Sequence, residues 1–224
     1  MNKILSALLG LPKTIWFNLR YLPLKQGICF PIILAFNVKI RKMYLGGVKF
    51  SNNELVKLGI IRIGFHCVEP LDTYSTHTIL AIEKHGTIIF NGTAHIGHGA
   101  IIHVAGGRLV LGNNFAISGN TSIVCKNHIS IGDNVQFSYN GLVLDSDAHK
   151  IFDENGNQFP NSAPIKIGDN VWIAPNVTIQ KGSQISSNTV VASNSLVNKN
   201  FTENSILIGG IPAKILKHIR NWEL

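Results

Sequence analysis

A short polar segment, Asp145–His149, places one histidine within four residues of two carboxylates. Histidine has an ordinary pKa that lets it take up and return a proton near neutral pH, so His149 is a candidate general base. Either Asp145 or Asp147 could accept a hydrogen bond from the second ring nitrogen and fix its tautomer. The same carboxylates could instead contact a hydroxylated substrate or form a local turn, and the residues alone leave these roles open.

The segment precedes a regular six-residue repeat in the C-terminal third of the chain. Aliphatic residues occupy every sixth position there, namely Ile167, Ile173, Ile179, Ile185, Val191 and Val197. Small or β-branched residues follow four positions after the first five of these, namely Val171, Val177, Ser183, Thr189 and Ser195. Six residues turn an α-helix through about 600°, so this spacing would scatter the aliphatic residues around a helix. The spacing also differs from the two-residue alternation of side chains in a strand pair. The repeat instead predicts a parallel β-helix whose coils have three six-residue faces.

The repeat continues upstream with interruptions. Its members there are Leu111, Ile117, Ile123 and Ile129, followed after a shift of two residues by Ile131, Phe137 and Val143. The pentapeptide Ile-Gly-Asp-Asn-Val occurs at residues 131–135 and again at residues 167–171. The run 145–164 between them has no repeat, so we expect it to leave the stack as a loop. Such loops often carry function, which places His149 beside a rigid scaffold.

Residues 1–62 differ from the rest of the chain in charge. They contain ten Lys and Arg and one acid, a formal net charge of +9, whereas the remaining residues carry −1. Large apolar residues such as Trp16 and Phe17 lie among the basic ones, which favours a helical arm that caps the first coil. Contact with an anionic membrane surface or a lipid-linked substrate is the alternative. Nucleic acid is disfavoured because no nucleic-acid-binding motif accompanies the charge.

Hydropathy predicts no membrane-spanning segment. The longest apolar run, Ile28–Phe36, is interrupted by Pro31 and is far shorter than the roughly 20 residues that a span needs. The apolar start of the chain ends at Pro12 without a clear signal-cleavage site. Three cysteines, at positions 29, 67 and 125, show no paired spacing and favour a reducing compartment. We therefore expect a cytoplasmic protein. Peripheral contact with the inner face of the plasma membrane is compatible with this prediction.

Three motifs in a fixed order resemble the hexapeptide-repeat acyltransferases, in particular the sugar O-acetyltransferases associated with capsule and O-antigen polysaccharides. The motifs are Asp145–His149, then Pro164–Ala174 with its Val-Trp-Ile, and then Gly209–Lys214, which ends in Ile-Pro-Ala-Lys. The resemblance covers about residues 85–220. It implies an all-β solenoid in the form of a left-handed β-helix, a homotrimer with sites between adjacent prisms, and acetyl-CoA as acyl donor with no metal.

The resemblance also implies a reaction and a set of residues. The reaction would be direct transfer of an acetyl group to a sugar hydroxyl, in a polysaccharide or its lipid-linked precursor, with a histidine base. The matching positions are His149, Asp147 and Asp145 for catalysis, Asn120 and Trp172 around the acceptor and the thioester, and Ala174, Ser193, Lys199 and Lys214 for the cofactor.

One position departs from the family pattern. Relatives often place backbone N–H groups near the thioester in the coil turn after Trp-Ile-Gly, but this chain has Ala174 and Pro175 there. Proline has no N–H to donate. Asn176 or Ser193 would then have to supply a substitute donor, which puts the geometry of the site in question more than the class of reaction.

The motifs and the repeat together predict three parts of the chain. Residues 1–62 form the basic arm, residues 63–212 form the β-helix with the inserted loop 145–164, and residues 213–224 form a short C-terminal helix. The helix is predicted because Pro212 suits a first turn and because basic residues in the last turn complement the helix dipole.

Three other functions remain as alternatives. Acetyl transfer to the amine of an amino sugar is the nearest, and the residues do not separate it from transfer to a hydroxyl. A zinc lyase of the carbonic-anhydrase type would use histidines such as His95, His98 and His103, but their spacing is loose and no third ligand is evident. A non-catalytic solenoid would have no reason to carry the polar loop or the Pro-Ala-Lys motif.

Overall fold

A computed structural model describes residues 3–65 and 76–223. Within these residues the chain forms three sheets whose strands follow one another in rotation, so that each turn of the chain adds one strand to each sheet. All the strand pairs are parallel except the last, between β22 and β23. Sheet A contains β1 (Ile32–Leu34), β4 (Ile61–Ile63), β7 (Ala94–His98), β10 (Phe115–Gly119), β13 (Gln136–Tyr139), β16 (Trp172–Ile173), β19 (Val190–Val191), β22 (Ile206–Gly210) and β23 (Ala213–His218). Sheet B contains β2 (Lys39–Met43), β5 (Ile79–Ile82), β8 (Ile101–Val104), β11 (Ser122–Cys125), β14 (Leu142–Leu144), β17 (Thr178–Gln180) and β20 (Leu196–Val197). Sheet C contains β3 (Val48–Phe50), β6 (Thr87–Phe90), β9 (Arg108–Leu111), β12 (His128–Ile131), β15 (Ile165–Ile167), β18 (Gln184–Ile185) and β21 (Asn200–Phe201).

The predicted β-helix is confirmed, and the six-residue repeat forms its core. Each aliphatic residue of the C-terminal repeat, from Ile167 to Val197, is at most 2% exposed. Ile131 and Ile167 are direct partners in neighbouring strands, so the interval between the two copies of the pentapeptide spans one coil and the loop inserted into it. The fold is a left-handed parallel β-helix with a continuous aliphatic interior.

Asparagines in a left-handed backbone conformation form the corners of the prism. Asparagine is among the non-glycine residues that adopt this conformation most readily, because its short polar side chain can bond locally. Side chains at the corner from sheet C to sheet A also bond the backbone of the neighbouring coil: Asp133 accepts from Asn113 N (2.7 Å) and Asp169 accepts from Asp133 N (2.8 Å). These contacts explain why the Ile-Gly-Asp-Asn-Val segment is repeated in adjacent coils. The left-handed corner asparagines are Asn114, Asn120, Asn134, Asn140, Asn170, Asn176, Asn188 and Asn194, with φ between 47° and 60°.

The first helix, α1 (Lys3–Tyr21), lies along the edge strand β1 and runs antiparallel to it. Thr14 Oγ1 accepts a hydrogen bond from Leu34 N at 3.0 Å, and Asn18 Oδ1 accepts one from Ile32 N at 3.2 Å. An unpaired edge strand presents free backbone groups, so these side chains replace the missing strand and cap the stack. A short helix, α2 (Leu24–Gly27), and a 3₁₀ turn (Asn53–Leu55) complete the helical segments of the described residues. No helix within residues 3–65 and 76–223 is long and apolar enough to cross a membrane.

The predicted end of the arm at residue 62 is wrong, because the first coil begins at Ile32. Its strands β1, β2 and β3 pair with β4, β5 and β6 of the next coil. The connection between β3 and β4 runs from Ser51 to Ile60 and contains the 3₁₀ turn, so it is longer than an ordinary corner. This longer connection interrupts the six-residue spacing and hides the coil in the sequence.

The predicted C-terminal helix over residues 213–224 is also wrong. Ala213–His218 forms β23, which pairs antiparallel with β22. The chain reverses at Ile211 and Pro212, so Pro212 belongs to a hairpin turn and not to the first turn of a helix. The strand satisfies the backbone groups on the outer edge of β22, and this tertiary pairing outweighs the local preference for a helix.

Candidate active site

The predicted insertion lies between β14 of sheet B and β15 of sheet C, at the corner that joins these two sheets. We call residues 145–164 the insertion loop. At its start Asp145 is fully buried, and its two carboxylate oxygens accept hydrogen bonds from Lys126 N (2.7 Å) and Asn127 N (2.8 Å) of the preceding coil. Its backbone carbonyl accepts a further hydrogen bond from Ala163 N at the far end of the loop. Asp145 therefore holds both ends of the insertion loop against the prism.

A lysine from the next coil ties the insertion loop down a second time. Lys181 Nζ lies 2.5 Å from Asp147 Oδ2 and donates to Pro160 O at 2.6 Å. The two charged side chains are 26% and 31% exposed, so water screens the pair less than it would at an open surface. The sequence motifs did not identify Lys181, because it lies at a corner of the β-helix that belongs to none of them.

His149 is exposed, and no hydrogen bond to its ring occurs among the described residues. Ala148 before it has φ of 62°, a left-handed conformation that costs a residue with a Cβ about 1 kcal/mol. Ala148 N donates to Ser146 Oγ at 3.1 Å, which stabilises this turn. Neither Asp145 nor Asp147 contacts the imidazole. The orienting bond predicted from the sequence is therefore not present within one chain, where both aspartates serve as anchors of the loop.

Trp172 lies in β16 on the outer surface of sheet A. Its indole Nε1 donates to Ser138 Oγ at 3.1 Å, and its ring packs against Trp222 with centroids 6.2 Å apart. Trp222 in turn donates from Nε1 to Asn170 O at 2.8 Å, so the C-terminal tail folds back over the prism. The side chain of Trp172 is still 38% exposed, which leaves part of the indole available to a ligand. Sequence reasoning missed Trp222, which belongs to no motif.

The corner from sheet A to sheet B holds several of the predicted binding residues. Asn120 has φ of 47° there and shares this conformation with the asparagines of the other coils, so its geometry alone does not single it out. Ala174 N donates to Val191 O at 3.0 Å, which leaves this N–H unavailable to a cofactor. Asn176 N likewise donates a hydrogen bond to Tyr139 O, so this N–H is also unavailable to a cofactor.

Ser193 lies at the same corner one coil further along. It is exposed, and neither its N–H nor its hydroxyl has a hydrogen-bond partner among the residues that the structure describes. Of the two substitutes considered for the N–H lost at Pro175, Asn176 is thus occupied and Ser193 is available.

The two predicted phosphate-binding lysines lie on different parts of the last coils. Lys199 occupies the sheet B to sheet C corner, the same corner as the insertion loop, with its ammonium 5.4 Å from the centroid of the Phe201 ring. Lys214 lies in β23 at the end of sheet A and is exposed.

A cleft of about 500 Å³ lies beside sheet C at the end of the insertion loop. Its lining residues include Pro164, Lys166 and Asn200.

The structure does not gather the predicted residues into one pocket of a single chain. His149 belongs to the sheet B to sheet C corner, whereas Asn120 and Ser193 belong to the sheet A to sheet B corner. A four-residue strand of sheet B such as β11 separates the two corners by about 13 Å.

The histidines considered for zinc do not form a site. His98 is buried and its ring contacts the side chain of Asn37, while His103 in the next sheet pairs with Glu83 at 3.2 Å. In residues 3–65 and 76–223 no group of three or more His, Cys, Asp or Glu side chains is placed to hold a metal ion. Cys67, one of the three cysteines, lies outside the described residues.

Comparison with known proteins gives three kinds of match. The family model of bacterial transferase hexapeptide repeats (six repeats) matches residues 164–199. Galactoside O-acetyltransferase of Escherichia coli (strain K12) is 31% identical over 148 residues, which are 62% of this chain and 71% of that protein. Polysialic acid O-acetyltransferase of Neisseria meningitidis is 40% identical over 106 residues, which are 47% of this chain and 49% of that protein.

A solved structure shows the same fold. The polySia-specific acetyltransferase NeuO aligns with a TM-score of 0.57 over 84% of this chain and 89% of that chain, at 22% sequence identity. At this identity the match shows the fold alone.

Proposed function

The chain belongs to the hexapeptide-repeat acyltransferase family, and from this premise we propose that it transfers the acetyl group of acetyl-CoA to a hydroxyl of a sugar. The sugar would be part of a polysaccharide or of its lipid-linked precursor. Two relatives named for O-acetyl transfer to a galactoside and to polysialic acid support this choice of acceptor. The observation that carries the proposal is the exposed His149 on a loop that Asp145 and Lys181 hold firmly to the prism.

His149 would act first as base and then as acid. A sugar hydroxyl is a poor nucleophile near neutral pH, so the imidazole takes its proton while the oxygen attacks the thioester carbonyl. Collapse of the tetrahedral intermediate breaks the carbon–sulfur bond, and the same proton passes from the imidazolium to the departing thiolate. The products are the O-acetylated sugar and free coenzyme A. We propose the N–H of Ser193, which has no partner among the described residues, as the donor for the oxyanion.

We propose that the site is completed by a second protomer of a homotrimer. The separation of His149 from Ser193 and Asn120 by a whole strand of sheet B supports this arrangement, because reacting groups must come within about 3–3.5 Å. Trp172, Lys199 and Lys214 would then line the path of the cofactor between prisms. Light scattering of the purified protein should give three times the 24.5 kDa mass of one chain.

The test is release of thiol from acetyl-CoA over a panel of free and lipid-linked sugars. Replacement of His149 by alanine should lower acceptor-dependent release at least about a hundredfold, the usual contribution of a general base. Its melting temperature should not change, because the side chain is exposed and makes no hydrogen bond in the described part of the chain. His218→Ala is the matched control, since His218 is an exposed histidine that pairs only with Glu203. Release that is unchanged in the His149 variant would refute its role as the base.

A further inference from the structure

Helix α1 buries Thr14, Asn18 and the core residue Phe17 against the prism, and it exposes an apolar face on the opposite side. Thr14 and Asn18 are at most 1% exposed because they cap strand β1. The opposite face is apolar, and its side chains are between 39% and 61% exposed. We call it the apolar end face, and its residues are Leu5, Leu8, Leu9, Ile15, Trp16 and Leu19. A surface helix of a globular protein normally shows the reverse pattern, so this face needs a partner.

The apolar end face is continuous and points away from the stack. Its members lie within about 120° of one another around the helix axis, at about 100° per residue, which places them on one side of the helix. Because the other side of α1 contacts the edge strand β1, this side forms the end surface of the β-helix. Two apolar residues of the following segment are also exposed, Leu24 at 68% and Ile28 at 58%.

Basic side chains surround this end of the molecule. They are exposed, and they come from α1, α2, sheet B, sheet C and the connection that leads into β4. None of them forms an ion pair within residues 3–65 and 76–223. We call this set the basic collar, and its residues are Arg20, Lys25, Lys39, Arg41, Lys49 and Lys57. The half-buried Lys13 is not part of it, since its ammonium is held by the carbonyls of Phe36 and Val38.

We propose that this end of the β-helix docks on an anionic phospholipid bilayer. The apolar end face would lie at the boundary between headgroups and acyl chains, and the basic collar would contact the negatively charged headgroups. The collar argues against a second copy of the chain as the partner. Two such ends placed face to face would bring two clusters of unpaired positive charge together, which opposes association. The proposal goes beyond the acetyl transfer, and none of the proposed site residues takes part in it.

Vesicle flotation of the full chain tests the proposal. The protein should float with phosphatidylcholine vesicles that contain about 30% phosphatidylglycerol, and it should require at least about tenfold more lipid when phosphatidylglycerol is omitted. The double variant Leu8→Glu/Trp16→Glu should weaken binding to the anionic vesicles by at least about tenfold, since it adds two negative charges to the apolar end face. Leu216→Glu is the control, because Leu216 is 58% exposed on β23 at the opposite end of the β-helix.

The variant must first show the circular dichroism and melting temperature of the parent, which is expected since both side chains point away from β1. Binding that the double variant retains in full would overturn the proposal, and so would failure of the parent protein to float with anionic vesicles. A double variant that loses trimer mass in light scattering would also overturn it, because the apolar end face would then be a contact between subunits.

Discussion

The role of Asp145 separates two explanations of the same motif. If the aspartate orients His149, its loss should lower activity and leave the fold intact. The structure instead shows a fully buried carboxylate that accepts two backbone hydrogen bonds from the preceding coil, at 2.7 and 2.8 Å. We therefore expect Asp145→Ala to be a stability defect first.

The magnitude follows from the two hydrogen bonds. Each is charge-assisted, and such a bond contributes about 1.5–3 kcal/mol. The alanine would leave the N–H groups of Lys126 and Asn127 without an acceptor, so the free energy of unfolding should fall by about 3–5 kcal/mol. With a urea m-value of about 3 kcal/mol/M, the unfolding midpoint should fall by about 1–1.7 M.

Urea unfolding followed by circular dichroism measures this change, and Asp153→Ala is the matched control. Asp153 lies in the same loop and accepts hydrogen bonds from Asn155 and Asn157, but it is only half-buried whereas Asp145 is fully buried, so its loss should shift the midpoint far less. An Asp145 variant with an unchanged midpoint and a hundredfold lower rate of thiol release would refute this reasoning. The carboxylate would then act on the imidazole, as the sequence motif suggested.

Two further predictions concern the prism itself. Asn120→Ala should destabilise the protein by about 1 kcal/mol in thermal unfolding, because alanine opposes the left-handed backbone, whereas Asn120→Gly should not. If the amide of Asn120 contacts the sugar, the KM for the acceptor should rise in both variants. A KM that is unchanged in both would remove Asn120 from the site. Burial, followed by the nearby charge of Asp145, raises the pKa of the Cys125 thiol from 9.0 to about 12. Peptide mapping after iodoacetamide treatment at about pH 8 should therefore find Cys125 modified only after unfolding and exposed Cys29 modified in the native protein, and modification of native Cys125 would contradict its burial.

The sequence predicted the fold well where consecutive coils have the same length. Ile167 pairs with Ile185, and Ile173 pairs with Val191, so each of these coils consists of three six-residue faces and nothing more. Upstream coils are longer by two or three residues, as the pairings of Ser122 with Leu142 and of Ile101 with Ser122 show, and the repeat is shifted there. The first coil could not be recognised, because the connection that precedes β4 lengthens it further and no fixed period survives.

The position of the insertion loop was predictable from the sequence, and its contacts with the prism were not. The insertion loop and its exposed histidine follow from a break in the repeat, which is a property of the sequence. The partners of Asp145 and Asp147 do not follow from it, because they are residues of neighbouring coils that only the stacking brings near. The strand β23 was missed for the same reason: the local preference of Ala213–His218 for a helix is outweighed by pairing with the free edge of β22.

The stacking also shows how the chain can accommodate Pro175. Trp172 pairs with Val190, so Pro175 and Ser193 occupy equivalent positions in successive coils. Neighbouring strands lie about 4.8 Å apart, and a donor at Ser193 is therefore displaced by one coil from the position where relatives place theirs. Asn194 N donates to Pro175 O at 3.1 Å, which fixes the two turns against each other and leaves the N–H of Ser193 free at the surface. If this donor holds the oxyanion, the thioester must lie one coil further from the N-terminal end than in those relatives.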